Sequence, residues 1–384
     1  MSPAKTLERV TPLLAAFGIT RVARHTGLDC IGIPVWCAYA PNARSIVVAQ
    51  GKGLSDDDAK VSAVMEALER AVAAEPAVQT VFATPKSLCE AGQDFERLDS
   101  LIGQGKDDIA PDDDIEWAAA RELLSGRQVH VPYEAAILDQ TRDSRFWMSS
   151  DGLASGNTLD EAIFHGILER IERDAYILWQ VGSDDSRYAR CVDPAGFGDP
   201  ELDGLLAKIL SSDLSIKLFD ITSDIGIPCF SALLAPKAVL HDPNVRFVEV
   251  TGGSGAHPSP IRAAIRAITE AVQSRLTYIS GARDDISPET FSERLPEQTR
   301  SAFAALPRLP TLGRAAEQAS LGEHLDHVLC ALKTRQIGAV IALPLSAPSL
   351  PFSVVKIFIP ALENPAGNRA RRFGPRAIAA AILT

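Results

Sequence analysis

Apolar residues recur along three stretches of the chain with the period of a buried helix face. At about 100° per residue, Val61, Val64, Met65, Leu68 and Val72 fall on one narrow stripe. Phe164, Ile167, Leu168 and Ile171 do the same, and so do Ile265, Ile268 and Val272. Segments 59–70, 162–173 and 263–274 superpose without a gap, roughly a hundred residues apart. Beside the first stripe, Ser62, Glu66, Glu69 and Arg70 form a polar stripe at i, i+4, i+7 and i+8. The second segment repeats it with Glu169, Glu172 and Arg173, and the third with Glu270 and Gln273. Small residues (Ala63, Gly166, Ala267) line much of the remaining circumference, which predicts helices packed on more than one side with their acids at a core edge.

Start signals agree. Ser55 followed by three aspartates, Thr158 with Glu161 as a capping box, and Ser259-Pro260 each read as a helix N-terminus. Before each lies a glycine-bearing stretch (Gly51 and Gly53, Gly152 and Gly156, Gly252 to Gly255) that reads as a loop suited to a phosphate. One ExxER helix is ordinarily a surface Glu–Arg pair. Three copies in one register predict a shared polyanion and metal site, because carboxylates gathered from separate helices repel unless a cation lies between them. Mg²⁺, which takes hard oxygen ligands and bridges carboxylates to phosphates, is the natural ion.

Elsewhere the pattern predicts a short helix within residues 1–19 and strands at 31–36 and 45–48 around a Pro41-Asn42 turn. A polar excursion at about 76–115 carries the run Asp112 to Asp114, and strand signals return near 128–138. Strands follow at 216–220, 227–234 and 246–251, then a surface connection over 283–318, a helix near 320–334 and strands at 339–343 and 352–359. The basic run with Arg369, Arg371, Arg372 and Arg376 reads as a solvated end or as an arm folding back towards nucleotide.

The chain of 384 residues has ample length for a buried core, in one large domain or two tightly joined ones. Its net charge of −11 argues against nucleic acid or anionic membrane as a partner through bulk charge. No run reaches a membrane span and no secretory signal opens the chain. The six cysteines show no CxxC pair, which disfavours structural zinc and points to a reduced cytoplasm. No Walker A, kinase or dinucleotide motif stands in its required context.

Ser62-x₃-Glu66-x₂-Glu69-Arg70, Glu161-x₇-Glu169-x₂-Glu172-Arg173 and Glu270-x₂-Gln273 resemble the three ATP-binding motifs of YcaO-domain proteins. The resemblance extends to Gly32-Ile-Pro34, Gly152-Leu-Ala-Ser-Gly156-Asn157 and Arg283-Asp284-Asp285, and runs from about residue 18 to 376. It implies an α/β (α+β) fold of YcaO type, three pseudo-repeat helices converging on a nucleotide. Residues 1–17 would be an N-terminal extension, 18–376 the YcaO domain and 377–384 a tail. It implies ATP and Mg²⁺ as cofactors, with Glu66, Glu69, Glu169, Glu172 and Glu270 as metal or phosphate-side ligands. Ser62, Arg70, Asn157, Glu161, Arg173 and Gln273 would touch nucleotide or orient those ligands; Ala154 departs from the Ser of some members. No protein nucleophile is expected.

Members of the family activate a peptide carbonyl by O-phosphorylation. External sulfide as the nucleophile gives a thioamide; a Cys, Ser or Thr side chain of the substrate gives an azoline. The chain ends without the Pro-x-Pro-x-Pro tail of many azoline formers, and residues 355–363 resemble the subgroup encoded with a TfuA protein. The resemblance therefore implies thioamidation, with a peptide or protein substrate, a TfuA-like partner and a homodimer. An azoline-forming cyclodehydratase or a non-catalytic nucleotide-binding scaffold are the alternatives.

Overall fold

The computed structural model describes residues 1–310 and 319–383. Helices and antiparallel strands are mixed, the α+β form of the expected class. Three sheets make the frame. The first runs Arg21–Arg24, Val35–Tyr39, Val48–Lys52. The second runs Thr80–Ala83, Ile115–Glu122, Ile341–Pro344, Ser353–Phe358, Leu153–Gly156, with Gln128–Pro132 also on Ile115–Glu122. The third runs Thr251–Ala256, Cys229–Pro236, Leu214–Asp220, Cys191–Val192.

Each repeat helix leaves an edge strand of a different sheet. Val48–Lys52 feeds Asp56–Ala74, Leu153–Gly156 feeds Leu159–Gln180, and Thr251–Ala256 feeds Pro260–Ser280. Each helix also packs on the strand of the next unit: the first on Leu153–Gly156, the second on Thr251–Ala256, the third on Val48–Lys52. Ser155 Oγ donates to Met65 O (3.4 Å), and Gln273 Nε2 donates to Gln50 O (2.7 Å). The three strand–helix units thus close into a ring, and that ring turns their acid stripes towards one another. The stripes behave as expected: Leu68, Ile167, Ile171, Ile268 and Val272 are fully buried, each helix within its own core cluster.

Most of the glycine stretches are strand and not loop: Gly51, Gly156 and Gly252 to Gly255 lie in strands, while Gly53 follows one and Gly152 sits in the turn before Leu153–Gly156. A Cβ on Gly51 would meet Ala59 O and Ala63 N, and one on Gly253 would meet Ala267 O and Ala271 N. The glycines let strand and helix backbones touch, a packing role that a loop reading overlooks. Ser55 closes a full capping box with Asp58, and Ser259 caps a helix beginning at Pro260. Thr158 accepts from the Glu161 amide, but the Glu161 carboxylate turns away to the Asn157 amide (3.0 Å), so that box is half made.

Other expectations shift. The strand expected at 31–36 lies at Val35–Tyr39, and the one expected at 45–48 begins at Val48. Residues 246–251 hold a 3₁₀ turn, Phe247–Glu249, and the strand follows it. The excursion at 76–115 supplies the strand Thr80–Ala83, and the helix Pro200–Ser211 falls where no helix was anticipated. Of the connection 283–318, residues 311–318 lie outside the described residues, as does Thr384. The basic run divides: Arg371 and Arg372 are exposed, Arg371 pairing with Asp108 (2.6 Å), while Arg369 and Arg376 fold back onto the protein away from the acid stripes. Arg369 is buried, stacks on Trp147 and donates to the carbonyls of Asn364 and Pro365 (3.1 and 2.8 Å). Arg376 grips Asp174 of the second repeat helix (2.8 Å) and Asp224 (2.6 Å). Among the described residues no helix is long and apolar enough to cross a membrane.

Candidate functional site

The acids of the three helices form one continuous line of interacting charge. Glu66 accepts from Arg70 one turn on (2.9 Å). Glu69 is half-buried one turn from Glu66 on the same helix. Burial pushes its carboxyl well above the usual range, and Glu66 and Glu169 push it further; Arg70 and the Ser155 hydroxyl offset only part.

Glu169 accepts from the Gly152 amide (3.0 Å), which Gly152 presents from the left-handed region at φ +74°. Burial pushes Glu169 up to about 7 against the pull of Arg173, with Asp151 and Glu172 adding to the rise. Glu172 is buried and also raised, by desolvation first and then by Glu270. Arg173 stands within 3.4 to 3.7 Å of Asp151, Glu169 and Glu172. Glu270 differs in direction: burial opposes its charge, but Lys52 at 3.3 Å, Arg173 and Arg266 hold it below the usual range.

The remaining residues singled out in the sequence divide. Asn157 and Glu161 form one unit: the amide of Asn157 donates to Glu161 (3.2 Å), and its Oδ1 accepts from Thr6 of the N-terminal helix Pro3–Val10 (2.9 Å). Gln273 gives its Nε2 to the first sheet, while its Oε1 is buried without a hydrogen-bond partner. Ser62 lies half-buried one turn before Glu66. Sequence reasoning missed Lys52, Asp151, Arg266 and Lys356. Lys356 is buried in the strand Ser353–Phe358, donates to Ser149 O (2.6 Å), and is lowered by burial to about 8 although Asp151 and Glu169 favour its charge.

Among the described residues no three carboxylates, imidazoles or thiols stand close enough to hold one ion together. The acids are paired instead with Arg70, Arg173 and Lys52. The donor chemistry nevertheless suits Mg²⁺: every acid offers hard carboxylate oxygens, and the orphaned Gln273 Oε1 adds a further one.

A family model described as YcaO cyclodehydratase, ATP- and Mg²⁺-binding, matches residues 50–363. The chain belongs to the YcaO family. An uncharacterized protein in the tfuA 3′ region of Rhizobium leguminosarum bv. trifolii is 38% identical over 98% of this chain and 91% of its own. An uncharacterized protein of Methanothermobacter thermautotrophicus is 34% identical, covering 94% of each. Among solved structures, YcaO from Methanopyrus kandleri bound with AMPPCP and Mg²⁺ shares the fold with a TM-score of 0.73 at 21% identity, over 94% of this chain and 91% of that one. A heterocyclase in complex with substrate and cofactor matches at TM-score 0.75 and 20% identity over 95% of this chain, which spans 52% of the heterocyclase. The YcaO fold expected from the helical motifs is thus the fold observed.

Proposed function

We propose that this YcaO protein modifies a peptide backbone amide at the expense of ATP, and that its product is a thioamide. What carries the ATP reading is the line of five glutamates brought together from three helices, each feeling the charge of the next. Glu66, Glu69, Glu169, Glu172 and Glu270 would hold Mg²⁺ and face the phosphates. Ser62, Arg70, Asn157, Glu161, Arg173 and Gln273 would contact the nucleotide or orient those acids. Bound Mg²⁺ supplies charge neutralisation at the phosphates.

In the reaction, hydrosulfide adds to the carbonyl carbon, and the resulting oxyanion takes the γ-phosphoryl group, releasing ADP. Phosphate then leaves with the carbonyl oxygen, the thiol proton departs, and the C=S bond remains. The protein's own part is to align two substrates and to hold charge, so no side-chain nucleophile is needed. Thioamidation is favoured by the tfuA-region relative, which also motivates a TfuA-like partner that presents the peptide or delivers sulfide. We place this protein in the cytoplasm as a homodimer, with residues 18–376 as its YcaO domain; its six cysteines are free thiols. The azoline alternative draws support from the fold likeness to a heterocyclase. Mass spectrometry of the modified peptide tests the choice. Exchange of oxygen for sulfur raises the mass and requires sulfide; a dehydrated Cys, Ser or Thr formed without sulfide would replace the thioamide reading.

A further inference from the structure

A cavity of about 710 Å³ opens beside the acid line, on the C-terminal half of the first repeat helix. Its floor is apolar: Phe17, Val72, Leu345 and Leu350, of which Val72 and Leu345 are buried. One wall is made of small helical side chains, Ala67, Ala71 and Ala74, so the floor is open to an incoming group. Polar groups, Asn42, Arg44, Arg70 and Glu75, complete the lining. Arg44 and Glu75 form an exposed pair at 3.4 Å, which marks the mouth.

Two contacts tie the cavity to the acids. Arg70 lines it and binds Glu66 at 2.9 Å. Val47 also lines it, and its amide donates to Asp284 (3.4 Å), beside Arg283, which feels the charge of Glu66. Of the residues assigned to the nucleotide, Arg70 alone reaches the cavity; Ser62, Asn157, Glu161, Arg173 and Gln273 line none of it. The space is therefore adjacent to the nucleotide region and separate from it.

We propose that this cavity receives the peptide: an aliphatic side chain next to the modified amide rests on the floor, and the backbone crosses the polar mouth towards Arg70. A volume of this size suits a short peptide segment, and an apolar floor with a few polar groups is how small-ligand sites combine affinity with orientation. The inference rests on the reading of the protein as a peptide-amide modifying enzyme and adds a substrate preference to it.

The probes are N-acetyl-leucine N-methylamide and N-acetyl-glycine N-methylamide, titrated by ligand-observed NMR into the full chain with Mg·AMPPCP present. The leucine probe should bind at least about tenfold more tightly, the effect of burying a few methylenes. Ala71→Phe and Ala347→Phe, which fill the cavity from two different elements, should each weaken the leucine probe about tenfold and leave Mg·AMPPCP affinity unchanged. Equal affinity for the two probes, or binding of neither, would overturn the proposal without any variant. Variants that lose nucleotide and keep the probe would give the cavity to the nucleobase instead. Product chemistry is read separately by mass, so a protein that binds the leucine probe but forms no thioamide keeps this site and loses only the reaction assignment.

Discussion

The two ends of the acid line are built from the same repeat and carry unequal electrostatics, the difference lying at Glu270. At one end, Glu172 and Glu270 share Lys52, Arg173 and Arg266; burial still raises Glu172, but Glu270 is held below the usual range. At the other, Glu66, Glu69 and Glu169 have Arg70, Arg173 and Lys356, the last with its own charge weakened by burial, and both Glu69 and Glu169 are pushed up. Identical helices therefore do not make identical ligands. The cation-poor end is where an added Mg²⁺ relieves most repulsion, and the cation-rich end is where a phosphate finds its countercharge.

The largest effect should come from the cation-poor end. Glu69→Gln should lower ATP turnover about 100-fold or more, because it removes a metal-facing charge. The same change should stabilise the ligand-free protein by about 1 kcal/mol, since a repelled carboxyl is gone. Glu270→Gln should lower turnover too, but destabilise the free protein by stranding Lys52. Thermal melts of both variants without nucleotide test this; shifts of the same sign would erase the difference between the ends.

Much of this arrangement was legible in the sequence because it rests on helical period. The apolar stripes, the caps at Ser55 and Ser259, and all five glutamates sit where the pattern puts them. The cations were less visible because they come from outside the stripes. Lys52 stands between two glycines on an edge strand, and Lys356 is a single lysine inside an apolar run, where it reads as a solvent-facing residue. Arg266 did leave a signal: it occupies the register of Ser62 and His165 in the other repeats. Gly51, Gly156 and Gly252 to Gly255 read as loop because strand and loop share the same local composition. Only the contact of Gly51 and Gly253 with a helix backbone distinguishes them.

That contact predicts where the two ends must agree. Gly51→Ala and Gly253→Ala each force a methyl into the backbone of a repeat helix, and each should cost about 2–3 kcal/mol. Equal losses in chemical denaturation would separate a common scaffold from unequal charge. A loss confined to one glycine would mean that the units pack differently.

A smaller effect should follow at the cation-rich end. Lys52→Met leaves Glu270 short of its nearest cation. Both side chains keep about a quarter of their surface in solvent (27% and 26%), so the penalty is screened to about 1–2 kcal/mol. Glu270→Gln in the same chain should return most of it. A double variant no more stable than Lys52→Met alone would show that the pair is not coupled.

The smallest effect lies just beyond that end, where surplus positive charge reaches buried histidines. Burial lowers His257 to about 3, and Arg266, Arg262, His324 and His165 depress it further. Geometry agrees, because its Nδ1 accepts the Ser259 amide (2.9 Å) and must stay unprotonated to do so. The sign follows from the lowered value. Above the ordinary histidine value of 6.5 both folded and unfolded chains hold it neutral, and it contributes nothing to pH dependence. As pH falls below 6.5 the unfolded chain takes a proton that the folded chain refuses, so stability is lost progressively towards pH 3. By about pH 5.5 the loss from this residue should be about 1 kcal/mol. His257→Asn keeps an acceptor for the Ser259 amide and removes the titration, so its stability should fall less between about pH 7.5 and 5.5. Parallel curves for parent and variant would mean that the field of Arg262 and Arg266 stops at the acids and never reaches the imidazole.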